Sequence, residues 1–292
     1  MRDARVWIPV SAVLVCAVLV PRPARAQPQA EGAQHDANAA RVITEARTAM
    51  GGEQKLTAIK TLVVTGRTRQ VRGDNLVPIE FEIQAELPDK FARRDEYPAQ
   101  DSGPTVTGFN GDRLVQSPAS QQPEAAARAQ LVNAKQEFAR LMLGLFAASY
   151  PNHPLTFAYA GQAEAPQGRA DVVDVKGPGE FAARLFVDAK SHLPIMLSWQ
   201  ARQPPPRGRG PGGPGRPGGP PPGVPPPGAA PPTGLASPVE NRLYFAEYRT
   251  FDGVQLPTRV RRAVAGDTTE ETTFDRFRIN ARVDPRRFEP GS

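Results

Sequence analysis

Side chains able to do acid–base or covalent chemistry are few in this chain of 292 residues, and their spacing argues against a reaction centre. Three histidines are present, His35, His153 and His192. His153 stands between Asn152 and Pro154, and His192 comes just before Pro194, so both read as loop residues. No pair of them has the short spacing with which two imidazoles share a metal, and neither H-E-x-x-H nor G-x-S-x-G occurs. The single cysteine, Cys16, lies in the N-terminal apolar run. Loss of that run removes thiolate catalysis, disulfides and Cys-ligated metal together. Glu80 and Glu82 share a strand face and could in principle bracket a substrate as the paired acids of glycosidases do. Their alternation with apolar residues favours a solvated sheet face, and Arg261-Arg262 and Glu270-Glu271 likewise read as wet strand ends. Trp199, Tyr244 and Tyr248 could stack on a sugar or anchor strand ends. The expectation is a protein that is not an enzyme, with no catalytic residue, no cofactor and no metal site. A carboxylate-based hydrolase is the weaker alternative.

The address of the chain is written at its start. Arg2 and Arg5 precede an apolar run over residues 6–20, and Ala24-Arg25-Ala26 forms an A-x-A site, so residues 1–26 are expected to be a cleavable export signal. The run falls short of the roughly 20 apolar residues that a membrane-spanning helix needs. The expected location is the periplasm, with no transmembrane segment in the mature chain.

The formal net charge of +6 suggests a nucleic-acid or anionic-lipid surface until it is divided along the chain. The signal carries four Arg against Asp3, and residues 201–238 carry Arg202, Arg207, Arg209 and Arg216 with no acid. Subtracting these +3 and +4 contributions leaves a body of net charge −1. A near-neutral body lacks the clustered cations that a phosphate-facing groove requires, so nucleic acid is not an expected partner.

Between Pro204 and Pro232, 14 of 29 residues are Pro and 9 are Gly. Such a stretch can neither supply ladder donors nor bury apolar surface. It is expected to be a disordered insertion at 201–238 inside a single domain spanning 36–292, after a flexible N-terminus at 27–35. The G-x-G-x-x-G formed by Gly208, Gly210 and Gly213 follows no strand and is interrupted by Pro211, so it is a chance match.

The flanking text has clear periodicity. A helix is expected from Asp36 to Met50, where Ala39, Val42, Ile43 and Ala46 recur at helical spacing and Gly51-Gly52 ends it. A short turn follows over Glu53 to Lys60, and then the period becomes two. Leu62 to Arg69 reads as a strand. From Val77 to Leu87, apolar Val77, Ile79, Phe81, Ile83, Ala85 and Leu87 alternate with polar neighbours, the mark of a half-buried antiparallel strand. Further strands are expected at 90–97, 105–109 and 113–116, with Asn110-Gly111 as a hairpin turn. A long helix over 123–148 carries an apolar stripe including Leu131, Phe138, Leu141, Met142, Leu145 and Phe146. More strands follow at 155–159, 170–176, 181–188, 194–200, 242–250, 254–263 and 269–279. About ten strands and two helices in this order imply an α+β fold.

The order of these pieces resembles the outer-membrane lipoprotein carrier family, the LolA/LolB-like proteins in their broad sense, over most of residues 37–288 outside the insertion. The resemblance rests on the helix ending Ala49-Met50-Gly51-Gly52, the Leu87-Pro88-Asp89-Lys90-Phe91 segment and the Phe109-Asn110-Gly111 hairpin. It continues through Leu185-Phe186-Val187-Asp188, the run from Tyr248 to Pro257, and Phe277-Arg278-Ile279-Asn280 followed by Phe288-Glu289-Pro290. It implies a large curved antiparallel sheet, an incomplete β-barrel, whose concave face is covered by helices and encloses an apolar cavity. Carriers of that family place an Arg immediately before the Pro of the 87–91 motif, where this chain has Leu87. The departure counts against lipoprotein trafficking in particular and leaves an apolar cavity intact.

The resemblance therefore points to a non-catalytic periplasmic carrier or sensor of a hydrophobic ligand, a lipid or lipoprotein acyl chain. Its apolar cavity candidates are Phe81, Ile83 and Leu87 on the alternating strand and Met142, Leu145 and Phe146 on the long helix. The bland alternative is that these six fill an ordinary core. A different class of function, a cell-envelope interaction module, would use the Arg-bearing polyproline stretch 204–232 to hold a protein partner. A monomer is expected.

Overall fold

The computed structural model describes residues 28–100, 103–165, 168–202 and 238–289. Residues 1–26, expected to be an export signal, and the body of the Pro/Gly insertion lie outside the described residues. Helix α1 (Pro28–Ala49) and the short α2 (Glu53–Thr57) precede five strands: β1 (Thr61–Arg72), β2 (Asn75–Glu86), β3 (Lys90–Glu96), β4 (Thr105–Asn110) and β5 (Arg113–Ser117). Helix α3 (Glu124–Phe146) then leads to β6 (Thr156–Ala165), β7 (Gly168–Gly177), β8 (Phe181–Asp188), β9 (Pro194–Arg202), β10 (Pro238–Phe251), β11 (Val254–Val264) and β12 (Asp267–Ile279).

All twelve strands form one sheet in the order β5-β4-β3-β2-β1-β12-β11-β10-β9-β8-β7-β6, every neighbouring pair antiparallel. Two meanders, β1 to β5 and β6 to β12, meet where the first strand pairs with the last, Leu62 opposite Ile279. The expected curved, incomplete β-barrel is overturned. The sheet is open, with β5 and β6 as its two edges, and is neither closed nor strongly curled. Alternation along a strand records which side is buried and carries no information on whether the sheet's edges approach each other.

Helix α3 joins the two edge strands in sequence and packs on β4, β5, β9 and β11, while α1 packs on β6 and β7. Both helices share one apolar cluster with the same sheet face. Met50, Leu62, Leu143, Leu185, Leu197 and Leu256 are fully buried there, each worth about 1.5–3 kcal/mol of burial. The opposite face carries a small second cluster in which Phe288 covers Ala92, Val106 and Val115.

Local chemistry accounts for the boundaries. α1 begins at Pro28, well before the expected start at Asp36, which sits within the helix. Proline suits a first helical turn, and Gln, Ala and Glu continue it. β2 ends at Glu86, which places Leu87 in the turn after the strand, its N–H donating to Lys60 O at 2.8 Å. The β4–β5 turn is Gly111-Asp112, one residue later than the Asn110-Gly111 pattern suggests, because Asn110 still pairs with Arg113. Asp252 and Gly253 both have positive φ, as a tight hairpin of primed type requires. Arg202 pairs directly with Pro238, so the insertion leaves and re-enters the sheet at one rung.

Candidate ligand cavity

A cavity of about 530 Å³ lies between α3 and the sheet face it covers, within the range of roughly 300–1,000 Å³ common for small-molecule pockets. Its lining grades from polar to apolar along several elements at once. On α3 the stripe runs Gln130, Asn133, Glu137, Leu141, Leu145, the three- and four-residue spacing that puts side chains on one helical face. On β12 it runs Glu270, Thr272, Phe274, and at β3 it runs from Tyr97, just past the strand end, through Asp95 and Arg93 to Phe91. Inward positions alternate along each strand, so these residues share a face by register. Gln70 stands opposite Glu270 and Thr68 opposite Thr272, their hydroxyls 2.9 Å apart.

The polar end is built of paired charges and unpaired amides. Arg262 on β11 donates through Nη2 to both carboxylate oxygens of Glu137, at 3.0 and 3.2 Å. Glu270 lies 4.0 Å from the Arg262 Nε and accepts from Gln70 at 3.0 Å. Burial by itself would lower the Arg262 pKa, yet Glu137 and Glu270 together hold it above the ordinary arginine value. Arg93 donates to Asp95 at 2.8 Å and lies over the Phe81 ring, 4.7 Å from its centre. Gln116 and Gln130, which also line the cavity, accept from Gln122 through their carbonyl oxygens, and their amide N–H groups remain as donors.

Glu137 also accepts from Arg140, at 2.9 Å. The Arg140 guanidinium lies 4.5 Å from the Trp199 ring centre and that of Arg262 lies 5.6 Å from it. Burial pulls the Arg140 pKa down and the neighbouring Arg262 charge adds to that, against the pull of Glu137. Trp199 is thus a buried support for two cations. Tyr244 is on the other side of the sheet under Arg261, and Tyr248 is partly buried with its hydroxyl donating to Pro194 O at 2.6 Å. These three aromatics form no common platform.

The six apolar candidates divide among three places. Ile83 and Leu145 line the cavity under α3. Leu87 and Phe146 line a second cavity, of about 690 Å³, bounded by α1, α2 and the loop after α3. Met142 is core, its sulfur accepting from the Tyr150 hydroxyl at 3.6 Å, and Phe81 packs edge-on against Phe274 at 5.8 Å. The main cavity also uses residues that the periodicity misassigns, above all Arg262 and Glu270. In a strand of period two only one of Arg261-Arg262 can face solvent freely. Arg262 shares its inward parity with Val260, and that parity was the available signal.

Glu80 and Glu82 lie on the opposite face, in register with Arg67 and Arg94 respectively, as a ladder of alternating charge. His35 lies in α1. His153 meets the Phe181 ring edge-on at 6.0 Å, while His192 has its Nδ1 3.6 Å from Glu45, so the two imidazoles serve separate parts of the fold. Among the described residues no three His, Cys, Asp or Glu side chains converge as a metal-binding group, and no helix is long and apolar enough to cross a membrane.

No family model matches the sequence, and no curated protein matches it. Among solved structures, a DUF1329 family protein from Desulfovibrio piger superposes with a TM-score of 0.45 at 7% identity, covering 86% of this chain and 97% of that one. A LolA superfamily protein from Nitrosomonas europaea superposes with a TM-score of 0.51 at 10% identity, covering 85% of this chain and 96% of that one. At this identity the likeness is one of fold, and the chain carries the fold of a LolA superfamily protein.

Proposed function

We propose that this chain is a non-catalytic periplasmic carrier or sensor of a hydrophobic ligand, a lipid or an acyl chain, delivered to that compartment by the signal in residues 1–26. The observation that carries the reading is the cavity under α3, unfilled by side chains although Ile83, Leu145, Phe245 and Phe274 line it. Transfer of an acyl chain from water into such a site gains about 0.8 kcal/mol per buried CH₂. The superfamily fold supports the same reading.

The test is native mass spectrometry of residues 27–292 purified from an envelope fraction without detergent, with lipid extraction of the same sample. A discrete adduct of lipid mass is expected. It should be lost in Leu141→Trp, where a half-buried lining residue becomes a side chain that fills the space, at unchanged thermal midpoint. A clean apo mass in a sample that also takes up no added phospholipid would sink the carrier reading.

A further inference from the structure

Resting on the carrier reading, we infer that the ligand is an amphiphile with an uncharged, hydroxyl- or amide-bearing head group, and that the polar end of the main cavity discriminates against anionic heads. The polar-to-apolar grading of α3, β3 and β12 fixes a single orientation. The tail lies towards Leu145 and Phe274, and the head lies among Gln130, Asn133 and Tyr97.

The charge chemistry then selects the head. The cavity lining contains two cations, Arg93 and Arg262, and three carboxylates, Asp95, Glu137 and Glu270. Both cations are already engaged, Arg93 by Asp95 and the Phe81 ring, Arg262 by Glu137 and Glu270. An anionic head would bring its charge beside the carboxylates that already neutralise both cations, inside a lining of net charge −1. A neutral head meets no such obstacle. The amide N–H groups of Gln116 and Gln130, the Asn133 amide and the Tyr97 hydroxyl are free to donate to its oxygens, with neighbouring carboxylates as acceptors for its hydroxyls. Glu137 and Glu270 are therefore specificity-determining residues. Between them they occupy Arg262, which would otherwise be available to a carboxylate or phosphate.

The experiment uses chain-matched probes below their micelle concentrations, titrated calorimetrically into residues 27–292. The probes are n-decanol, decyl glucoside, decanoate and decyltrimethylammonium. Decyl glucoside is expected to bind tightest and decanoate at least tenfold more weakly. In the double variant Glu137→Gln/Glu270→Gln decanoate is expected to gain at least tenfold while decyl glucoside stays within about threefold, a gain that misfolding cannot mimic. Decanoate binding as tightly as the glucoside in the unaltered protein would overturn the inference and leave the carrier reading standing, provided decanol binds. The same holds if a folded double variant shows no gain for decanoate. If none of the four probes binds, the carrier reading and the inference fall together.

Discussion

Glu137 on α3 and Arg262 on β11 meet at 3.0 Å across the mouth of the main cavity, and the same carboxylate holds Arg140 at 2.9 Å. One exposed acid thus neutralises two largely buried guanidinium groups that share the face of Trp199. Glu137→Ala leaves both cations short of a partner. Because hydrogen bonds to charged groups contribute about 1.5–3 kcal/mol, a loss in that range is expected in urea unfolding, with a smaller loss in Glu137→Gln. A change under about 0.5 kcal/mol, typical of an exposed ion pair, would show that solvent already serves these arginines.

Gly144 sets two effects against each other. Replacing a helical glycine by alanine gains up to about 1 kcal/mol of propensity, but a Cβ at Gly144 would stand 2.3 Å from carbons of the Phe245 ring. Overpacking of this kind costs about 1–3 kcal/mol. Gly144→Ala is therefore expected to lower the thermal midpoint and to weaken ligand uptake, since Phe245 lines the cavity and must move. A raised midpoint would mean that the ring has room to give way.

His153 is held below the usual imidazole range, first by burial and then by the charge of Lys135. A folded-state pKa below the unfolded value means that the unfolded chain binds more protons on the acid side. Its contribution is complete above about pH 6.5 and declines as pH falls from there through the folded-state pKa. His153→Phe retains a ring against Phe181 and removes the titration. The stability of this variant relative to the unaltered protein is expected to rise steadily between pH 7.5 and 5. Parallel pH curves for the two proteins would contradict this.

Arg202 and Pro238 stand opposite each other on one rung of β9 and β10. Residues 203–237 can accordingly be exchanged for a two-residue Asn-Gly turn. Shortening a loop recovers about 0.6 kcal/mol of closure entropy per halving of its length, so the thermal midpoint is expected to be unchanged or raised. A fall of several degrees would show that the replaced residues contribute stabilising contacts. Loss of a protein partner at constant midpoint would favour the envelope interaction module.

The sequence by itself determined the elements. Period-two alternation placed β2 and β8 within a residue or two of where they lie, because a half-buried strand must alternate. The apolar stripe placed α3, because a helix covering a sheet must present one greasy face. What only the tertiary structure decided is everything that depends on which elements meet. The sheet's openness follows from which strands pair at its edges, and Leu87 and Phe146 share a separate cavity from Ile83 and Leu145 because α1 and α2 close over them. The polar rim needed tertiary structure most. Arg262 and Glu137 are 125 positions apart in the chain, and nothing local tells a charged residue at a strand end that a carboxylate on a distant helix will be its partner.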